Sequence, residues 1–264
     1  PAEMKISWSE EKAPLGTGGG IRRAADFLRG SDDCLVLAGD MLLDIDLTRL
    51  HQLHRESRCD ATLVLRSDAR AADFGTIGVT SDGQLARIGK RRLDLKPTSG
   101  DRADGLTPDR IEVSQGLFTG VRFFSRDCLT DWPASDTFEY LRDWLAPRIE
   151  RGEIRVGAEV LAPEDSVWEP VGTPGEYLAV NLHPPALPSL GGDVRHWGGA
   201  LQSGFGTGKA SVVSASARIP AEAELEGCVV WEGEEIPTGF HGRDGVYAGG
   251  AFHPFGLEAS GSLQ

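Results

Sequence analysis

Through the first two-thirds of the chain, short apolar runs alternate with segments of helical spacing. That alternation narrows the fold to the α/β class, Rossmann-like, with a mainly parallel sheet. Cys34–Ala38 (CLVLA) is a continuous apolar run that ends on Gly39 and Asp40, as a buried parallel strand reads. Asp46 is placed to cap a helix from Leu47 to Glu56, with Leu47, Leu50 and His54 on one face. Ala61–Leu65 is the next apolar run, and Thr76–Val79 and Gln84–Ile88 flank Ser81-Asp82-Gly83, a hairpin signal. Leu117–Phe124 reads as a strand. Asp136-Thr137-Phe138-Glu139 has capping-box spacing ahead of Phe138, Leu141 and Leu145, and Pro147 is expected to end or kink that helix. Ile154–Leu161 reads as a further strand and Gly175–Leu182 as a closing helix.

At His183 the pattern changes. Pro184, Pro185, Pro188, Gly191 and Gly192 open a linker, and beyond it large apolar residues recur every six positions. Val213, Ile219, Leu225 and Trp231 each begin a hexad. That period is the signature of a short left-handed β-helix of hexapeptide repeats, with the first residue of each hexad pointing inward. A Gly-rich tail with coincidental spacing is the plainer alternative. The expected organisation is an α/β domain over 1–182, a linker over 183–207, a partial β-helix over 208–250 and a tail over 251–264.

The 264 residues carry 40 acidic against 27 basic side chains, a net charge of −13. This balance argues against nucleic acid or an anionic membrane as partner. No apolar run approaches the roughly 20 residues of a membrane span, and no signal peptide is visible. Cys34, Cys59, Cys128 and Cys228 lie far apart, without CxxC or a nearby His at ligand spacing, as reduced thiols do. A cytoplasmic enzyme is the expected class.

Three features have residue types suited to chemistry. Pro14–Gly20 (PLGTGGG) runs into an amphipathic segment carrying Ile21, Ala24 and Leu28. Glycines at a helix start let backbone N–H groups approach an anion or nucleotide, although neither the Walker nor the GxGxxG pattern is met; a flexible loop is the alternative. Asp40 follows a strand end, where ligands of open α/β sheets bind, and its carboxylate suits Mg²⁺; the alternative is a turn or cap. In Val167–Tyr177 a strand end passes through Gly172-Thr173-Pro174 into a helix, with Thr173 as cap and Pro174 as first helical residue. His51 and His54 read as core-edge histidines rather than metal ligands, and the scattered tryptophans, Trp197 among them, as packing.

Taken together and in order, these segments resemble the sugar-phosphate nucleotidyltransferases (the NDP-sugar pyrophosphorylases), most of all the mannose-1-phosphate guanylyltransferase type. The matching residues are Glu11–Gly20, Leu37–Asp40, the Leu50…His54 helix, Phe74-Gly75, Leu85–Lys90, Thr119-Gly120-Val121, and Trp168…Val171-Gly172-Thr173-Pro174…Tyr177-Leu178. The resemblance implies attack of a sugar-1-phosphate oxygen on the α-phosphorus of a nucleoside triphosphate, with loss of pyrophosphate. GTP and mannose 1-phosphate are the implied pair. It places Leu15, Gly16, Thr17 and Gly18 at the base and ribose. Gly75, Thr119 and Gly120 go to the sugar, and Lys90 to the sugar phosphate. Asp40 holds Mg²⁺, with Asp40 and Lys90 as the catalytic pair. A homo-oligomer formed through the β-helix is compatible with it.

Two departures qualify the match. The family's N-terminal strand and its glycine-rich loop with Arg and Pro-Lys-Pro have no counterpart before Trp8. The chain moreover opens on Pro1 rather than Met, so a missing N-terminal segment and an inactive fragment are expected. Where the family has Trp-x-Asp-Val-Gly-Thr, this chain has Trp168-Glu169-Pro170-Val171-Gly172-Thr173. Pro170 cannot bind a metal, which leaves Glu169 as the substitute ligand. The lost carboxylate keeps open a non-catalytic sugar-nucleotide-binding or regulatory relative. An acyltransferase built on the hexads is a third, weaker reading.

Overall fold

The computed structural model describes residues 5–71, 75–96, 111–190 and 210–255. Phe74, Trp197, most of the expected linker and the end of the tail therefore lie outside the described residues. The chain divides into two compact units. One is formed by Pro1–Ala38 with Asp46–Pro163, the other by Gly39–Ile45 with Glu164–Ser262.

The first unit holds a seven-stranded sheet organised on one long strand. Its opening segments are α1 (Gly16–Arg23), α2 (Ala25–Leu28) and β1 (Asp33–Leu37). After β2 (Met41–Asp44), which belongs to the other unit, come α3 (Leu47–Ser57) and β3 (Ala61–Arg66), then β4 (Ile77–Thr80), β5 (Leu85–Ile88) and β6 (Arg91–Arg92). The central strand, β7, runs for fourteen residues from Glu112 to Ser125. Its first half pairs with β4 and its second with β3, while β1 flanks Val121–Ser125 on the opposite edge. β8 (Val156–Leu161) extends the sheet beyond β3.

A mainly parallel sheet was the expectation, and the described pairings correct it: only β3–β8 is parallel. Strands β4, β5 and β6 are joined by short glycine turns at Gly83 and Gly89, which can only reverse the chain. Parallel pairing needs a crossover of a dozen residues or more.

Adjacent residues on β7 point to opposite faces, and each face has its own cover. Phe123 stacks under His51 and His54 of α3 at 5.8 and 5.7 Å. Phe124 meets Tyr140 and Trp144 on the other side. Asp46 caps α3 as its sequence implies, accepting from Arg49 N at 2.9 Å. The expected Asp136 capping box does not form. Asp136 instead pairs with Arg22 at 3.4 Å, and the helix begins later as a π-helical stretch, Tyr140–Leu145. It becomes α4 (Ala146–Glu150), and Pro147, expected to end or kink the helix, sits where the π-helical stretch gives way to α.

The second unit combines the β2–β9 pair, with β9 at Val167–Pro170, and α5 (Pro174–Leu182) with a four-stranded sheet. In that sheet β10 (Val212–Val213), β11 (Glu224–Val230) and β12 (His241–Ala248) run parallel, and β13 (Ala251–Pro254) closes it antiparallel. Val213 lies opposite Val230 and Val230 opposite Tyr247, an offset of seventeen residues. A strict six-residue period needs eighteen, so one step in three is five residues long.

The inward series is Val213, Ile219, Leu225, then Val230 and Ile236. Trp231, expected inside, is 50% exposed. The short steps contain Gly227 (φ 61°) and Asp244 (φ 44°), whose left-handed backbone tightens the corner. Gly242 continues the series without a side chain, because a methyl there would sit 2.7 Å from Phe240 and 3.3 Å from Phe252. All four cysteines are free. No helix among the described residues is long and apolar enough to cross a membrane.

Two outcomes follow from this packing. Ile236→Asp buries an unpaired charge and is expected to cost about 3 kcal/mol or more, whereas Trp231→Ser is expected to cost under about 1 kcal/mol. Urea titration of both variants decides between the seventeen-residue offset and a strict hexad.

The second outcome concerns His54, 1% exposed, with Nδ1 2.7 Å from Thr62 Oγ1 and Asp33 Oδ1 3.7 Å from Nε2. Burial holds its pKa below the usual histidine value, against the opposing pull of Asp33. The unfolded chain then takes the proton first, near pH 6.5. Stability is full above that pH and declines as pH falls toward the lower folded value. The urea midpoint of the wild type is expected to drop between pH 7.5 and 5.5, and by less in His54→Gln.

Candidate active site

The residues read as a nucleotide loop form the start of a helix pinned to a distant segment. Phe138 N donates to Leu15 O at 3.1 Å and Gly18 N to Phe138 O at 3.0 Å. Thr17 Oγ1 donates to Glu139 Oε2 at 2.6 Å and receives Tyr140 N at 3.3 Å. A methyl on Gly18 would lie 2.3 Å from the Phe138 ring, one on Gly19 2.5 Å from Asp136 O, and one on Gly16 2.7 Å from Phe138 O. Gly16 also has φ 73°. Close approach of 136–139 thus accounts for Gly16, Gly18 and Gly19 without a ligand, and the segment is the start of α1 rather than an irregular loop.

Thr119 and Gly120 are a bulge. Across β3, Leu65 faces Phe118 but Val64 faces Val121, so the two residues between are extra on β7. Gly120 takes φ 83°, open to glycine at little cost. Thr119, 2% exposed, donates its hydroxyl to Val64 O at 2.8 Å. Gly120 O receives Ala38 N at 3.0 Å and Arg122 Nη1 at 3.2 Å.

Gly75 and Lys90 come together at one end of the β4–β5 hairpin. Gly89 N donates to Thr76 O at 2.9 Å, and the two predicted residues flank that bonded pair. Gly75 has φ 77°, and no described residue occupies the space where its side chain would be. Behind them Arg87 ties the end of the hairpin to β7. It reaches Glu112 at 2.8 Å, Gln115 Oε1 at 2.7 Å and Thr76 Oγ1 at 3.0 Å, and this bond to Arg87 holds the Glu112 carboxyl below its usual range. Sequence reasoning missed this network. Its one local signal is a charged residue inside the apolar strand Leu85–Ile88.

Asp40 and Glu169 belong to the second unit. Val171 N donates to Asp40 O at 2.9 Å, and Leu42 lies opposite Glu169 in the β2–β9 ladder, so Asp40 stands just ahead of β2 and Glu169 on the strand beside it. Pro170 lies opposite Met41, and strand alternation turns it away from the face of Glu169. A methyl on Gly172 would be 3.3 Å from Asp40 Oδ2 and 3.8 Å from Glu176 Oε2. Glu176 accepts from Thr173 N at 2.9 Å and from Thr173 Oγ1 at 3.0 Å, completing a capping box whose spacing was legible but unread. Among the described residues no group of three or more His, Cys, Asp or Glu forms a metal cluster.

Gly18→Ala is expected to destabilise by roughly 1–3 kcal/mol, since a ring and a backbone carbonyl must both shift. Thermal melting is the check, and an unchanged midpoint would remove the packing account of the glycine run.

A family model described as nucleotidyl transferase matches residues 2–184. The mannose-1-phosphate guanylyltransferase of Mycobacterium tuberculosis is 26% identical over 244 residues, 89% of this chain and 62% of that protein. The D-glycero-alpha-D-manno-heptose 1-phosphate guanylyltransferase of Campylobacter jejuni is 38% identical over 138 residues, 52% of this chain and 51% of that protein. Among solved structures, HddC from Yersinia pseudotuberculosis complexed with GMP-PN aligns with a TM-score of 0.46 at 19% identity, over 64% of this chain and 62% of that one. The chain spans less than two-thirds of the length of the curated relatives it matches.

Proposed function

The chain belongs to the nucleotidyl transferase family, and on that footing we propose that it acts as a sugar-1-phosphate nucleotidylyltransferase. An oxygen of the sugar-1-phosphate attacks the α-phosphorus of a nucleoside triphosphate, the bond to the β-phosphate breaks, and pyrophosphate leaves. The names of the relatives favour GTP as nucleotide donor and mannose 1-phosphate as acceptor, ahead of a heptose phosphate. The observation that carries the reading is the family match over 2–184.

In this reading Leu15, Gly16, Thr17 and Gly18 border base and ribose, and Gly75, Thr119 and Gly120 border the sugar. Lys90 meets the sugar phosphate. Asp40 is the principal Mg²⁺ ligand and Glu169 the second. The donor set fits a hard cation, which takes one or two carboxylates and completes its shell with phosphate oxygens and water. Bound there, Mg²⁺ would neutralise phosphate charge. Of the proposed division into 1–182, 183–207, 208–250 and 251–264, the first boundary has support in the end of the family match at 184, although Gly39–Ile45 and the residues from Glu164 group with the C-terminal unit by contact. The parallel seventeen-residue stack supports a short β-helix, left-handed in this reading and a surface for self-association, and the same reading puts the protein in the cytoplasm.

Pro170 in place of the family's aspartate favours the second reading, a relative that binds nucleotide sugars without turning them over. Pyrophosphate release from GTP with mannose 1-phosphate, against other base and sugar pairs, separates the two. Asp40→Asn is expected to lower kcat by roughly 10²-fold or more, with nucleotide affinity in the absence of Mg²⁺ unchanged. Near-normal turnover by that variant would remove Asp40 from the site. Glu169→Gln is expected to raise the Mg²⁺ concentration needed for half-maximal activity.

A further inference from the structure

Arg122 and Arg148 are the buried arginines among the described residues, and their surroundings differ. Arg148 donates to Cys128 O at 2.7 Å and Thr130 O at 3.2 Å, with Asp131 and Glu153 carboxylates at 3.7 and 3.8 Å. Arg122, 6% exposed, faces no carboxylate among the described residues. One nitrogen donates to Gly120 O at 3.2 Å, and the guanidinium carbon sits 4.5 Å from the Tyr140 ring centre and 5.8 Å from that of Phe118. Nε of either arginine has no hydrogen-bond partner among the described residues, but only beside Arg122 is a second buried donor unmet, the hydroxyl of Tyr140, which is 4% exposed.

A cation–π contact offsets part of the cost of burying this charge but leaves the Nε–H unmet. Burial also keeps Tyr140 a neutral phenol, able to donate. Two donors on neighbouring side chains, one of them cationic, thus lack an acceptor. The complement to a guanidinium edge and a phenol O–H is a tetrahedral oxyanion, which accepts from Nε and Nη together and from a third donor. The cover on the β1 side is thin: Val36, opposite Arg122, is only half-buried, and β1 pairs on one edge alone among the described residues.

We propose that Arg122 and Tyr140 form an anion subsite that takes a phosphate group, inorganic or carried by a sugar or nucleotide. The subsite does not require that the chain transfer nucleotides, and its test reads stability rather than turnover. The chain is melted in chloride and in inorganic phosphate at matched ionic strength, as wild type, Arg122→Met and Tyr140→Phe. Phosphate at a hundredfold over its Kd is expected to raise the wild-type Tm by about 5 °C or more.

Arg122→Met is expected to lose that increment and to melt in chloride at or above the wild type, because the unpaired buried cation is gone. Tyr140→Phe keeps the ring and is expected to lose at least half of the increment. Mannose 1-phosphate and GTP then replace phosphate, and whichever shifts the wild type at the lowest concentration identifies the carrier. The proposal is overturned if phosphate leaves the wild type unmoved, or if Arg122→Met retains the full increment. It also fails if Arg122→Met melts well below the wild type in chloride, which would make Arg122 a structural strut between Gly120 O and the Tyr140 ring.

Discussion

The ladder that β7 makes with three other strands sets the register of the larger unit. Residues Val121–Phe124 are paired on both edges at once, by β1 and by β3, while Glu112–Gly116 serve β4. A strand committed on both edges cannot slide without turning its core side chains to the wrong face. The bulge at Thr119–Gly120 accommodates the change of partner: the two extra residues lie where one edge of β7 passes from β4 to β1, with β3 bonded on either side of them. Gly120 O then receives Ala38 N, which fixes the chain just beyond β1, and Thr119 meets the Val64 carbonyl that the bulge would otherwise orphan.

A second contact of this kind joins the helix start at Leu15–Gly20 to the segment 136–140, more than a hundred residues on. Small residues on α1 let a backbone strand lie against a helix at hydrogen-bond distance, and Phe138 packs its ring into the space that Gly18 leaves. The same segment leads into Tyr140, the ring beneath Arg122. The glycine run and the buried arginine are therefore consecutive consequences of one packing arrangement.

How far the sequence spoke depended on how local each signal is. α3 was legible because its cap, Asp46, and its apolar face lie within one segment. β1 and β3 were legible as apolar runs of strand length. Their direction was not, since pairing with β7 joins residues about sixty to ninety apart, as Cys34 and Ala61 with Phe124 show. The hexad period was legible through Val213, Ile219 and Leu225, then slipped at Gly227, because a φ of 61° is a property of the coil corner rather than of residue spacing. In the candidate site, Asp40 stood out by following a strand end. The Arg87–Glu112 pair did not, since it spans 25 positions and neither residue belongs to a motif.

The structure also sorts the candidate residues by what the fold leaves them to do. Thr17 has given its hydroxyl to Glu139, Gly18 its N–H to Phe138, and Thr119 its hydroxyl to Val64. Recruiting any of these for a ligand means breaking a bond the fold already uses, so their contribution is to shape backbone rather than to donate. Gly75 and Lys90 are different: no described residue occupies the side-chain space of the first, and the second, exposed at its turn, makes no hydrogen bond or ion pair among the described residues. Asp40 is exposed as well, and the ladder uses its carbonyl while its carboxylate lies over Gly172. In the proposed reaction, chemistry carried by side chains would thus fall to the residues that packing has spared, with the motifs around them holding the backbone that presents them.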